Sequence, residues 1–428
     1  MKGAGGFIIV RDPQEAALGL PRTYGVDDLP LALTSRRFLT SNQFSYDHIV
    51  DNYGDYMLVN GTLTPQVSLP KQWVRLRILN AEVARGYNLG FSDNRTFYII
   101  ANDAGLLSAP VAVTRMKLMT GERVEVLVNL GSDTIGSTLD LKAYNSGLVF
   151  GFPGQEGNPV TPTGNPGPIN GSLLNNTDFN ILRINVAAAT ASPITTLPAS
   201  LVPQTYWTNA DVTNNRAINI TGGNGGTEFT FNNIAFTHTF INHTINLNAV
   251  EKWTITNNNI FGHSVHIHDI KFNILSRTGT EVTTNGLPAA YESGWKDTLY
   301  VPKGETVTVI AKFDDFASNT NPFMFHCHFL QHEDGGMMGQ FLVVNSAVED
   351  LAIASFTRTG ASSDISLQFK STVGTTYTLQ YSADLTTSSW TDIGSVTSDG
   401  TSANFTETNA TRLGQAKGFY RVTIPTVP

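Results

Sequence analysis

The chain has 428 residues, of which 41% are hydrophobic and only 14% charged, with 38 glycines, 19 prolines and a formal net charge of -8. That length accommodates two or three domains, each burying its own core. The acidic balance speaks against a nucleic-acid or anionic-membrane surface, and no apolar run approaches the roughly 20 residues of a membrane helix.

Abundant Thr, Asn, Val and Gly with few Lys and Glu describe an all-β chain rich in turns. Met1-Lys2-Gly3-Ala4-Gly5-Gly6 runs directly into Phe7-Ile8-Ile9-Val10-Arg11-Asp12, which reads as a strand. The pattern of a signal peptide is not visible there, so the chain reads as beginning inside a domain. From 27 to 129, short apolar runs alternate with turn signals, and strands are predicted at 29–33, 74–79, 97–101 and 123–128. Gly61, Asp93-Asn94, Asp103-Ala104-Gly105 and Gly121 punctuate them in the rhythm of a β-sandwich. Residues 151–171 collect Gly, Pro, Asn and Thr and predict a loop or interdomain linker. Gly222-Gly223-Asn224-Gly225-Gly226 reads as a flexible loop, because no Lys-Ser/Thr follows to make a phosphate cradle. A second β-rich stretch, 229–344, predicts strands at 239–247, 251–256, 270–276, 306–313 and 341–344. Residues 355–424 hold no His, Cys or Met and predict a small all-β accessory module without chemistry of its own.

Six of the nine histidines fall in two clusters. One is His263-Ser264-Val265-His266-Ile267-His268; the other is His326-Cys327-His328-Phe329-Leu330-Gln331-His332, followed by Glu333-Asp334-Gly335-Gly336-Met337-Met338. Both abut strand-like apolar runs, which sets them apart from a solvated histidine tract. Cys327 is the chain's single cysteine, so it makes no intramolecular disulfide, and zinc would call for a second cysteine. Two His, one Cys and a long, weak axial Met describe a blue-copper site instead. Cys327, His332 and Met337 would come from one hairpin-like segment and His263 from the other cluster, with Met338 as packing. Because side chains alternate along a strand, Cys327 faces one way while His326 and His328 face the other, and His266 and His268 share a face. The pattern predicts two metal sites joined by a short covalent path.

These motifs resemble the two C-terminal copper motifs of the multicopper oxidases, and most of all bacterial copper-resistance oxidases, spore-coat laccases and bilirubin oxidases. Asp27-Asp28-Leu29-Pro30, Val59-Asn60-Gly61, Arg75-Leu76-Arg77-Ile78-Leu79-Asn80-Ala81, Gly121-Glu122-Arg123 and Gly294-Trp295-Lys296-Asp297 resemble that group as well, so the resemblance covers residues 1–345. It implies tandem cupredoxin-like Greek-key β-sandwiches, followed by a small C-terminal β-sandwich module. It implies copper as cofactor: type 1 ligands His263, Cys327, His332 and Met337, a type 2 ligand His266, and type 3 ligands His268, His326 and His328. Glu333 matches the acid that relays protons to the oxygen-reducing cluster. The implied activity is one-electron oxidation of a phenolic or metal-ion donor at type 1 copper, coupled to reduction of O2 to water, in a periplasmic or extracellular setting. Nucleic acid and membrane are not among the expected partners.

The family has three cupredoxin domains, and its first supplies four of eight cluster histidines from two His-x-His motifs. No such motif occurs here, and His48, His238 and His243 are isolated and read as structural. The expected organisation is therefore 1–12 as the last strand of a missing first domain, 13–150 as a copper-free second domain and 151–227 as linker and loop. Residues 228–346 then form the copper-bearing third domain and 350–428 the accessory module. The type 1 site is complete and the type 2 and type 3 sites half-complete, with a partner polypeptide or upstream coding region supplying the rest. The alternatives are a one-copper electron-transfer protein, a weaker nitrite-reductase-like variant, and a non-functional fragment with an exposed docking face. Residues 150–227 contain no Met, and Asn259 stands where the cuprous oxidases place an acid, which disfavours a dedicated cuprous oxidase. Asp297 and Glu292 are candidates for an organic-substrate pocket or for structural roles.

Overall fold

The computed structural model describes every residue except 1–4, 46–52, 156–171, 224–227, 280–285, 346–352, 359–363, 372–373, 387–388, 401 and 424–428. His48, most of the predicted 151–171 linker and part of the glycine run lie outside the described residues. The chain is almost entirely β-strand and divides into two compact units, one of residues 1–243, 248–313 and 323–341, the other of 244–247, 314–322 and 342–428. No helix among the described residues is long and apolar enough to cross a membrane.

Two sheets form the first sandwich. The larger runs Thr62–Leu63, Tyr56–Val59, Asp28–Arg36, Trp73–Asn80, Arg123–Asn129, Phe97–Asn102, Gly105–Val113, and the smaller Gln66–Pro70, Asp178–Ala187, Thr138–Tyr144, Tyr87–Phe91, Met116–Leu118. Leu76, Ile78, Val124 and Val126 from the first sheet share one core with Leu89, Phe91, Leu141 and Ile184 from the second. Trp73–Asn80 is covered on both faces. Its inward residues are aliphatic, while Arg75 and Arg77 on the other face pair with Glu125, and respectively with Glu15 and Asp28. Buried guanidinium groups are tolerated because each finds carboxylate acceptors.

The second sandwich follows the same plan. One sheet runs Phe229–Phe231, Asn214–Gly222, Ala249–Asn257, Thr306–Phe313, Phe272–Thr278, the other His243–Asn246, Met338–Val344, Phe323–Cys327, His263–Ile267, Thr298–Val301. Trp253 joins them, its ring against Phe313, Phe325 and Phe341. His243 stacks on Phe325 and meets Trp253, and burial together with Arg216 pushes its pKa down to about 4. It is a neutral packing residue. Both sandwiches mix parallel and antiparallel pairs, consistent with cupredoxin-like β-sandwiches.

The second unit contains the C-terminal module, two three-stranded sheets. They are Ile353–Arg358, Ile365–Lys370, Ser402–Glu407 and Thr391–Thr397, Thr376–Ser382, Phe419–Thr423. Leu367, Leu379 and Leu413 fill one part of its core, Phe369, Tyr377 and Ala403 another.

Several expectations need correction. Phe7-Ile8-Ile9-Val10-Arg11-Asp12 forms no strand; among the described residues it has no ladder partner, and Ile8 and Val10 are 96% and 80% exposed. Residues 151–227 are more than linker and loop, since Asp178–Ala187 completes the first sandwich and Asn214–Gly222 opens the second. The polar residues on their solvent faces hide their alternation. The strand expected at 239–247 shrinks to His243–Asn246, because Phe240 is in a turn closed by its N–H on Thr237 O. The strand expected from 270 begins at Phe272, after a turn in which Asp269 has φ 72°.

Where the sandwiches of the first unit meet, Lys296 is buried between two carboxylates, 3.0 Å from Asp103 and 3.2 Å from Glu122. Burial raises Glu122 to about 7 against the pull of Lys296. Removing one partner of such a group leaves uncompensated charge in a dry site. Lys296→Met is expected to lower unfolding stability by about 3–5 kcal/mol, read from the denaturant midpoint of the metal-free protein.

Candidate metal centre

Strand pairing builds the site. His263–Ile267 lies antiparallel to Phe323–Cys327 with Val265 opposite Cys327 and His266 opposite His326. His263 is therefore on the Cys327 face, and His266 and His268 are on the His326 face. The chain then enters a short helix, Leu330–Asp334, and returns as Met338–Val344 beside Phe323–Cys327. That excursion brings His332 back over Cys327.

The outcome is two groups of facing ligand atoms, His263 with Cys327 and His332, and His266 with His268 and His326, each within 4.8 Å. Cys327 Sγ is 3.7 Å from His263 Nδ1 and 3.6 Å from His332 Nδ1. A first-row metal held about 2.0 Å from nitrogen and 2.3 Å from sulfur at trigonal or tetrahedral angles separates them by roughly 3.6 Å. Both sulfur–nitrogen distances therefore fit a bound metal. Met337 is fully buried, its N–H donating to His332 O (2.8 Å) and its carbonyl accepting from Cys327 N–H (3.1 Å). Phe229 packs on the rings of both His263 and His332, and Phe329 stacks on His263 from its own side. Neither wall was foreseen, since a lone Phe carries no motif.

The second group is a nest of imidazoles. His268 Nε2 and His326 Nε2 face each other at 3.2 Å. His326 Nδ1 is 3.0 Å from the carbonyl oxygen of Cys327, to which it donates, so Nε2 carries the lone pair. His266 Nδ1 lies 2.9 Å from Asp297 O and 3.0 Å from Thr298 Oγ1, which turns its Nε2 inward in the same way. His328 joins with its ring 5.8 Å from that of His326 and 6.1 Å from that of His266, and its buried Nδ1 has no hydrogen-bond partner. Converging lone pairs and an orphaned nitrogen fit a metal cluster. Glu333 Oε2 is 3.5 Å from His326 Nδ1, and burial, with Asp334, raises its pKa.

Asn259 is buried with Nδ2 3.3 Å from His263 Nε2, the outer nitrogen of that ligand. Glu292 holds Arg277 and borders a cavity of about 70 Å³, small for an organic donor, so its role is structural. Asp297 turns toward Arg123 and His266. His238 packs on Phe236, apart from both groups.

Burial dominates the electrostatics. It pushes His332 and His326 down to about 3 and lowers His263, His268 and His328, favouring neutral, ligating imidazoles. The Cys327 thiol is pushed up to about 12 by burial, against backbone hydrogen bonds from Phe329 and Ser264. A metal must therefore displace its proton. Around neutral pH the two histidines facing Cys327 are already neutral, so affinity at this group should rise roughly tenfold per pH unit, with about one proton released per ion. Calorimetric titration with Co2+ in buffers of different ionisation enthalpy reads that number, and Cys327→Ser should release about one proton fewer.

With this geometry in hand, comparison with known proteins is specific. The multicopper oxidase family profile matches residues 209–347. Bilirubin oxidase of Albifimbria verrucaria is 32% identical over 352 residues, 79% of this chain and 57% of its own length. The cell division protein FtsP of Xenorhabdus nematophila is 31% identical over 81% of this chain and 67% of its own. Among solved structures, the laccase-like multicopper oxidase CueO of the lignin-degrading bacterium Ochrobactrum sp. has TM-score 0.64 at 31% identity, covering 78% of this chain and 70% of that one. McoA of Aquifex aeolicus has TM-score 0.66 at 25% identity, with the same coverage. The chain thus spans 57% of the curated bilirubin oxidase and 67% of FtsP. By these matches the chain belongs to the multicopper oxidase family.

Proposed function

We propose that the chain takes single electrons from a small phenolic or metal-ion donor at a blue-copper site formed by His263, Cys327, His332 and Met337. It delivers them toward a second copper cluster to which His266, His268, His326 and His328 contribute. The carrying observation is that neighbours in sequence face opposite clusters: Cys327 lies with His263 and His332, His326 with His266 and His268. Copper supplies reversible one-electron chemistry there. The chain's own residues do the rest. The Cys327 backbone, with His326 Nδ1 donating to Cys327 O, provides a short path between the clusters. Phe229 and Phe329 exclude water from the first site. Met337, buried and tied through its backbone to Cys327, would join His263, Cys327 and His332 in holding the first copper. His266 is assigned to a type 2 position and the other three imidazoles to type 3 positions. Glu333, beside His326, is assigned as the proton relay in reduction of O2 to water.

Four imidazoles are half of the set this reading needs. The other half is assigned to a first cupredoxin domain outside these 428 residues. The two described sandwiches then correspond to the second and third domains. The four-ring count also favours a second reading, a one-copper electron-transfer protein, because His238 and His243 are engaged elsewhere.

Copper-loaded chain tests both. Intense blue absorption with uptake of O2 on a phenolic donor, in the chain itself or once a polypeptide carrying the other four histidines is added, supports the oxidase, and blue absorption without uptake in either case supports electron transfer alone. Cys327→Ser is expected to abolish the blue band, lower copper by about one ion per chain and reduce donor oxidation to background. A blue Cys327→Ser variant would refute the assignment.

A further inference from the structure

The first sandwich holds neither histidine cluster, yet one of its turns reaches the nest. Ser264 Oγ donates to Thr120 O at 2.7 Å, and Ser264 O accepts the backbone N–H of His328 at 2.6 Å. Gly121 has φ +81°, and a Cβ added there would lie 2.3 Å from His328 Cδ2, so the imidazole rests on bare backbone. Arg123 grips both oxygens of Asp297, at 2.6 Å each, and also donates to Gly121 O (3.1 Å) and Asp103 O (3.0 Å). Asp297 in turn presents its carbonyl to His266 Nδ1 and accepts from Thr298 Oγ1, which touches the same nitrogen. Gly121-Glu122-Arg123 and Gly294-Trp295-Lys296-Asp297, remote in sequence, are thus in contact, with Lys296 bridging to Glu122 and Asp103 behind them.

We propose that the 120–123 turn of the copper-free sandwich is a positioning device for the histidine nest, with Gly121 seating His328 and Arg123 fixing the orientation and tautomer of His266 through Asp297. The reading rests on metal binding by the nest, as proposed above, and adds the residues that orient it. A planar guanidinium suits the task, because two parallel bonds fix the carboxylate's direction as well as its place. With Asp297 held by Arg123, its carboxylate stays 3.5 Å from His266 Nδ1, and the nearer backbone carbonyl, at 2.9 Å, takes the proton. The imidazole then keeps its Nε2 lone pair directed into the nest.

The test is made on the full chain carrying Cys327→Ser, so that the blue site does not contribute and failure of the blue-copper reading leaves the outcome interpretable. Cu2+ affinity is measured by chelator competition, with electron paramagnetic resonance of the bound ion and imidazole 15N shifts of the metal-free protein. Arg123→Gln is expected to weaken Cu2+ binding about 10–100-fold and to mix the His266 tautomers. Arg123→Lys should recover only part, since an ammonium cannot bond both oxygens in plane. Gly121→Ala should weaken binding comparably and displace the His328 resonances. Arg183→Gln, which removes an exposed pair with Asp140, serves as the control and should change nothing. Unchanged affinity, resonance and 15N shifts in folded Arg123→Gln would overturn the proposal. If that variant does not fold, Asp297→Asn decides: parental affinity and a single His266 tautomer would overturn it as well.

Discussion

The pairing of His263–Ile267 with Phe323–Cys327 is the constraint on which the site depends. With Val265 opposite Cys327 and His266 opposite His326, two strands present one set of donors to each face of the sheet. A slip of one residue would exchange the faces of every side chain on one strand, placing His266 and His268 with Cys327 and leaving His263 with His326. The register is held from behind by apolar packing, because Phe325 and Val265 are buried and Phe325 is locked against Trp253 and Phe231. Gly339 contributes to the same lock, since a Cβ there would meet the Phe325 ring at 2.2 Å.

Given that register, the remaining properties of the first cluster follow from dryness. A thiol and two imidazoles enclosed by Phe229 and Phe329 are discouraged from carrying charge, so the imidazoles are neutral and the thiol holds its proton. The short helix Leu330–Asp334 contributes geometry rather than helical stability. Its single turn carries the chain from the Cys327 face out and back, delivering His332 above Sγ before Met337 re-enters the buried layer. The nest behind it is different. Two of its rings have their outer nitrogens satisfied by backbone carbonyls, Cys327 O for His326 and Asp297 O for His266. Each of those bonds decides which nitrogen looks inward.

Much of this was legible in the chain. The predicted strands at 74–79, 97–101, 251–256 and 306–313 lie within observed ones, since their apolar residues alternate or run continuously between clear turn signals. The separation of Cys327 from His326 followed from alternation alone. The strands Asp178–Ala187 and Asn214–Gly222 were not legible, because exposed Asn, Arg and Asp residues interrupt their pattern. Phe7-Ile8-Ile9-Val10 misled in the opposite sense. Its composition is that of a strand, but a strand is defined by a partner, and none is present among the described residues.

The sequence by itself determined which residues can meet a metal and which way each faces, because alternation along a strand and the reach of a short loop are local properties. What surrounds those residues was decided only by the tertiary structure. Arg123 and Asp297 stand 174 residues apart, and neither their pairing nor the seat that Gly121 offers His328 leaves a periodic trace. Such contacts arise from how two finished sandwiches pack, and packing is a property of surfaces that no single segment contains.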